Sequence, residues 1–215
     1  MDILAGLLDV ILHVDVYLGD IINQFGGWSY LVIFGIIFCE TGLVVAPFLP
    51  GDSLLFASGA FAAQGYFNII WLYLIIVLAS IFGDMLNYRI GRWFGPRVFR
   101  NEKSRIFNKE YLERTHQFYQ KYGGKTIILA RFIPIVRTFA PFVAGVGAMS
   151  YWQFAVYNVS GAFIWAAVFA LGGYFFGNLD IIKHNFSAFI LLIIVVSFLP
   201  GFYSYVQHKL QKLPR

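Results

Sequence analysis

The chain has 215 residues, 59% of them hydrophobic and only 13% charged, with a net charge of +5 and a mean hydropathy of +0.69. A soluble domain carries roughly 25% charged residues, so a water-soluble globule is excluded and an integral membrane protein of one domain's length is expected. Ten of the sixteen Lys and Arg lie between Arg89 and Lys125, and Lys209, Lys212 and Arg215 close the chain; in a membrane protein such clusters mark cytoplasmic loops rather than a nucleic-acid surface.

Residues 3–23 place Ile3, Leu7, Val10, Ile11, Val14, Leu18 and Ile21 at helical spacing, interleaved with acids. That pattern predicts an amphipathic helix at the interface or against the bundle, ended by Gly26-Gly27. Residues 1–25 carry Asp2, Asp9, Asp15 and Asp20 but no Lys or Arg, so a cleaved signal peptide is not expected.

Residues 28–63 form a nearly continuous apolar run of 36 positions. One span needs about 20 residues, and two spans with a turn need more than about 40. Pro47 and Pro50-Gly51 would break a helix here, and Glu40 and Asp52 are charged. One span followed by a re-entrant hairpin is the economical reading. The lone cysteine, Cys39, cannot form an internal disulfide and reads as a small buried hydrophobe.

Residues 69–90 read as a clean span that ends in Gly83-Asp84-Met-Leu-Asn87-Tyr88-Arg89-Ile-Gly91-Arg92. A basic stretch over 92–125 follows, with a short helix predicted at 108–121. Residues 126–148 are apolar again but hold Arg131, Pro134, Arg137, Pro141, Gly145 and Gly147. Two further spans are predicted at 151–177 and 185–206.

Loop charge then decides topology. The basic 92–125 stretch and the basic tail should both be cytoplasmic, yet three apolar segments lie between them. Two crossings and one returning segment satisfy this, and 126–148, with its two Pro and two Arg, is the segment to return. Irregular backbone at that depth must face protein or a polar cavity.

A shift of 86 residues superposes Gly59 on Gly145, Tyr88 on Tyr174 and Gly91 on Gly177. Each half then reads hairpin, span, Tyr-x-x-Gly. Chance similarity of two glycine-rich apolar stretches is the alternative, but an inverted repeat is a common way to build a transporter. The expected fold class is therefore an all-α polytopic membrane protein built as an inverted repeat of re-entrant hairpin plus transmembrane helix. Its parts are an N-terminal amphipathic helix (1–27), a first repeat (28–91), a basic cytoplasmic linker (92–125), a second repeat (126–177) and a last transmembrane helix (185–206).

Glu40, Asp52, Arg131 and Arg137 sit where hydropathy indicates membrane. Each costs about 2.5–3.5 kcal/mol at a helix centre. Two acids on one hairpin and two bases on the other would neutralise one another where the tips meet. A structural ion-pair cluster is the bland explanation, but such clusters stabilise weakly. Paired arginines offer planar forks for phosphate, and free backbone N–H groups at hairpin tips favour anions. Low dielectric favours the protonated carboxyl, which makes Glu40 and Asp52 candidate proton carriers. Asp84, Asn87 and Tyr88 share one turn, and Asp84 could pair with Tyr88 or Arg131; an interfacial cap network fits them as well. Asn158, Gly161 and Trp165 share a helix face, either lining a cavity or packing tightly through Gly161.

These residues carry a family resemblance. Glu40-Thr-Gly-Leu through Pro47-Phe-Leu-Pro50-Gly51-Asp52, then Gly83-Asp84-x-x-x-Tyr88-x-x-Gly91-Arg92, then Arg131-Phe-x-Pro134-x-x-Arg137-x-x-x-Pro141 with Ala144-Gly145 and Met149, and Phe154-x-x-x-Asn158-x-x-Gly161-Ala-x-x-Trp165 run in one order over about 40–200. The sequence resembles the bacterial DedA family, whose core is the VTT (SNARE-associated Golgi) domain. The resemblance implies two re-entrant hairpins, a bacterial plasma-membrane location and lipid translocation that needs the membrane acids and arginines. Undecaprenyl phosphate is the implied substrate of some members; phosphatidylethanolamine or proton-dependent envelope homeostasis is implied for others.

Function is thus expected to be transport of an anionic lipid coupled to protons. The substrate-binding candidates are Arg131, Arg137, Glu40, Asp52, Asp84, Tyr88 and Asn158. An intramembrane enzyme is the second class, but Gly83-Asp84 lacks a second catalytic Asp with the right flanks, and no catalytic residue is assigned. His13, His116, His184 and His208 fall in the first helix, loops or tail, so neither a metal centre nor a cofactor is expected. A channel would need a polar stripe that 69–82 and 185–199 lack, and a scaffold would tolerate neutral charges. The expected partners are a lipid phosphate and protons, with no nucleic acid; a homo-oligomer is compatible with the sequence. The C-terminus is expected in the cytoplasm, multi-pass.

Overall fold

In a computed structural model of the chain, residues 14–43, 51–98, 123–147 and 149–177 are described, together with a few positions between 179 and 192. The 108–121 helix, the Pro47–Pro50 break and most of the 185–206 span lie outside them. Among the described residues the regular structure is all helical.

Helix α1 covers Val14–Phe25 and is stopped by Gly26, which takes φ +52. That left-handed conformation costs glycine little and ends a helix cleanly. A short 3-10 turn, Gly26–Trp28, leads into α2, Ser29–Gly42. The Ser29 hydroxyl donates to the Ile21 carbonyl at 3.2 Å and fastens the turn. Leu18 is the buried contact of α1, as the amphipathic pattern predicts. Helix α3 runs Gly51–Ala63 and α4 runs Ile69–Val98.

Helices α2 and α3 have 14 and 13 residues, so each is only about 20 Å long at 1.5 Å per residue. Within the 28–63 run the described residues form these two helices, and α2 continues the apolar stretch begun by α1. Cys39 departs from expectation. It is exposed, because the buried face of α2 runs through Ile33, Ile37, Glu40 and Thr41.

Helix α4 continues two turns past Gly91, where the sequence suggested an end. Gly91 serves packing instead: a Cβ there would strike the Phe142 backbone. Helix α5, Lys125–Ala130, turns at Arg131 into α6, Pro134–Val146. Proline suits the first turn of α6, where its missing N–H is not needed. Helix α7, Tyr151–Ala166, starts with the Ser150 hydroxyl accepting from the Gln153 N–H at 3.3 Å. It continues through a π turn, Ala167–Leu171, into α8, Gly172–Phe176.

Among the described residues, three stretches are long and apolar enough to cross a bilayer: Val16–Gly42, Ile69–Phe94 and Tyr151–Phe176. The first is broken at Gly26. Their outward faces are apolar, with Leu78 and Phe82 on α4 and Val156, Phe163 and Val168 on α7 and the π turn exposed. Exposed aromatics gather at helix ends, with Trp28, Tyr66 and Trp71 at some and Trp93 and Trp152 at others. This is the distribution of a protein solvated by lipid with aromatic belts at its interfaces.

The two halves interlock. Helix α3, buried on all sides over Gly51–Ala60, packs on the π turn and α8, while α6 packs on α4. Glycines make both crossings. A Cβ at Gly59 would strike the Ala170 carbonyl and the Tyr174 N–H, and one at Gly145 would strike the Tyr88 carbonyl. The pairs Gly59 with Tyr174 and Gly145 with Tyr88 are related by the same shift of 86 seen in the sequence. The two short helices thus occupy matching places on the long helices of the opposite halves.

A buried double ion pair between the hairpins

Arg137 lies on the first turn of α6 and reaches across to the first two helices of the other half. Its Nη1 donates to Asp52 Oδ1 at 2.5 Å, and its Nη2 donates to Glu40 Oε1. Asp52 opens α3 and Glu40 sits in the last turn of α2. Glu40 Oε1 also accepts from the Gly51 N–H at 3.2 Å, so one carboxylate caps α3 and binds the arginine. Glycine at position 51 leaves room for the pair: a Cβ there would meet the Glu40 carboxylate and the Arg137 guanidinium and displace them. The Trp165 indole N–H donates to Asp52 Oδ1 at 2.9 Å, and its ring lies 5.0 Å from the Arg137 guanidinium. A cation over an aromatic face is attracted by the ring quadrupole, more so when desolvated.

Arg131, in the turn after α5, forms a second pair. Its Nη2 donates to Asp84 Oδ2 and, at 2.5 Å, to Asn158 Oδ1, and its Nη1 donates to Ser80 Oγ at 2.9 Å. Asn158 is oriented by its own donation to the Ile81 carbonyl at 3.2 Å. Gly161 leaves room for the arginine stem: a Cβ there would lie 3.0 Å from Arg131 Cδ. All five charged residues are buried, the most exposed being Asp52 at 8%.

A cavity of about 10 Å³ lies between the pairs, lined by Thr41, Asp84, Arg131, Arg137 and Trp165. That is at the limit for one water molecule. Of the buried polar atoms of these five charged side chains, Glu40 Oε2 and Arg131 Nε have no hydrogen-bond partner among the described residues. The site is closed to anything the size of a phosphate.

Glu40, Asp52 and Arg137 meet as the charge pattern predicts. Arg131 does not join the two acids; it pairs with Asp84, for which the sequence offered either Tyr88 or Arg131 as partner. Asn158 belongs to the site. Tyr88 lies apart, with its hydroxyl donating to the Met149 carbonyl at 2.5 Å and its ring stacked on Phe154 at 4.4 Å. Trp165 is the member that charge alone could not reveal. Its helical spacing from Asn158 and Gly161 was the signal, and that face both lines the cavity and packs tightly.

Asn87, on α4, joins α2 to α6 directly. Its amide donates to the Thr41 carbonyl at 3.1 Å and to the Thr138 carbonyl at 2.7 Å. Asn87→Ala is expected to lower stability by about 1–3 kcal/mol, the range for two buried hydrogen bonds. Thermal unfolding in detergent measures this, and an unchanged midpoint would show that the contact is not coupled to the fold.

Residues 49–175 match the VTT domain. The chain is 54% identical to "Protein DedA" of Escherichia coli strain K12 over 211 residues, which is 97% of this chain and 96% of that protein. It is 42% identical to "Uncharacterized membrane protein ML0287" of Mycobacterium leprae over 166 residues, 77% of this chain and 74% of that one. It is 34% identical to "Inner membrane protein YqjA" of Escherichia coli strain K12 over 153 residues, 71% and 69% of the two chains. No solved structure matches it.

Proposed function

Because the chain belongs to the DedA family of membrane proteins, built on the VTT domain, we propose that it carries a lipid with a phosphate headgroup, undecaprenyl phosphate, across the bacterial plasma membrane in exchange with protons. The observation that carries this reading is Arg137, whose fork is held by Glu40 and Asp52 between the two hairpins.

A clamp would not need these charges. Apolar side chains of similar volume hold buried elements together as well or better. A guanidinium fork is the side chain best matched to phosphate oxygens. In the closed site the carboxylates occupy that fork. A phosphate bound there takes their place, and Glu40 and Asp52 then neutralise themselves by taking up protons. Counting Glu40, Asp52 and Asp84 against Arg131 and Arg137, three carboxylates face two guanidiniums. One proton on the cluster makes it neutral, which supports a proton as the coupling ion.

The sidedness of this reading comes from loop charge. Helices α2 and α3 enter and return from the outside, and α5 and α6 from the cytoplasm, with their tips meeting at mid-depth. The C-terminus is then cytoplasmic, and the basic 92–125 stretch sets orientation rather than binding nucleic acid. No bond-making step is assigned to the protein, which acts as a carrier and not as an enzyme.

Reconstitution in liposomes with labelled undecaprenyl phosphate tests the proposal, with and without a pH gradient. Wild-type protein is expected to move the lipid and to respond to the gradient, and Glu40→Gln to do neither while remaining in the membrane. Movement of labelled phosphatidylethanolamine instead would favour a phospholipid scramblase. Normal activity after neutralising Glu40, Asp52, Arg131 and Arg137 together would leave only a scaffold.

A further inference from the structure

Gly42 and Gly83 bring α2 and α4 into close contact, so that a Cβ at Gly42 would lie 3.3 Å from Gly83 Cα. Beside this seam, Thr41 and Asp84 line the small polar cavity between the ion pairs. Elsewhere along the same two helices there is a second, quite different concavity. Phe34 and Phe38 of α2 and Phe82, Met85 and Leu86 of α4 form an apolar groove of about 530 Å³, which also includes Arg89 and Tyr151. Its volume falls in the range of about 300–1,000 Å³ typical of ligand clefts.

Arg89 sets this groove apart from ordinary lipid-facing surface. It is exposed and has no ion-pair partner among the described residues. It lies two helical turns beyond Phe82 on α4, about 10 Å along the axis. An arginine at that place keeps its stem on apolar surface and its guanidinium at the polar boundary. Phe34 and Phe38 stack with centroids 6.0 Å apart and form a flat wall, while the Tyr151 hydroxyl meets Met85 Sδ at 3.6 Å. An apolar trough with one unpaired cation at its end is complementary to a single class of molecule, a long hydrocarbon chain ending in an anionic head.

We infer that this groove is a waiting site for a membrane lipid that carries a phosphate headgroup, with its chain against Phe34, Phe38, Phe82 and Leu86 and its phosphate on Arg89. It takes from the proposed function only that the transported lipid bears a phosphate. The groove lies along the same pair of helices as Glu40 and Asp84, the acids that hold Arg137 and Arg131, and Gly42 and Gly83 form the close seam between those two helices. A lipid held in the groove needs the two helices to part there for its head to reach Arg137.

The test places a photoreactive benzoyl-phenylalanine at Phe82 of the full chain in detergent. The probes are undecaprenyl phosphate and undecaprenol, which share the chain and differ in the phosphate. Labelling of the phosphate is expected to exceed that of the alcohol by about tenfold, the size of one charge-assisted hydrogen bond. Arg89→Gln should remove the preference while the alcohol still labels, and Arg89→Lys should keep most of it. Leu86→Trp, which fills the trough, should reduce labelling by both. Equal labelling of the two lipids by the Arg89-containing protein, or a preference that survives Arg89→Gln, overturns the waiting site. Retained preference in a protein that moves no lipid in liposomes would instead remove the transport reading and leave the groove standing.

Discussion

Arg137→Ala is expected to abolish lipid transport and to cost about 3–5 kcal/mol of stability, the penalty for leaving buried charges without their partner. Glu40 and Asp52 are both ion-paired to this one guanidinium. Asp52 would keep the Trp165 N–H and Glu40 the Gly51 N–H, but neither replaces a charge. Liposome transport and thermal unfolding in detergent read the two effects separately. The combination Glu40→Gln, Asp52→Asn and Arg137→Met removes the imbalance and is expected to regain stability without regaining transport. If that variant moves lipid at the wild-type rate, the cluster is structural. Arg137→Lys keeps the charge but loses the fork that spans both acids, and a partial loss of transport is expected.

Gly145→Val is expected to prevent assembly of the folded protein. Overpacking a core typically costs about 1–3 kcal/mol, and more where nothing can yield. Here the added carbon meets the Tyr88 carbonyl, a backbone atom fixed in α4. Gly59→Val should fail in the same way against the Ala170 carbonyl. Gly35→Ala is the control, since nothing lies within 4 Å of its added Cβ. Removing a glycine from a helix interior there should be neutral or raise stability by up to about 1 kcal/mol. The yield of monodisperse protein after size-exclusion chromatography separates these cases. A wild-type yield for Gly145→Val would mean that α4 and α6 do not cross this closely.

Much of this arrangement is legible in the sequence. Apolar run lengths and the Gly and Pro breaks located the helices, because a bilayer fixes how long a span must be. The charged residues of the site announced themselves because each is expensive in that setting. Which charge pairs with which was not legible. Arg131 and Arg137 are six residues apart on one hairpin, yet the turn at 131–133 points them at different helices. Asp84 therefore took Arg131 and left Arg137 for both remaining acids. The end of α4 was misplaced for a related reason. A glycine can stop a helix or let another backbone approach, and at Gly91 only the presence of Phe142 distinguishes the two. The place of Tyr88 was obscured in the same way. Its hydroxyl looked available to Asp84 one turn away, but the Met149 carbonyl, across the fold, receives it.

The interlocking of the halves has a consequence for biogenesis. Asp52 and its partner Trp165 are 113 residues apart in the chain, and α3 is enclosed only when the π turn and α8 arrive. A ribosome adding residues in order releases α3 long before its cover exists. Until α6 emerges, the nascent chain must hold a helix with an acid at its start and no Arg137 to meet it, and the apolar cover comes later still. Neither half can therefore mature first and wait for the other. Insertion of the first hairpin should be provisional, held shallow or attended by the insertion machinery, and made final only when Arg137 is delivered.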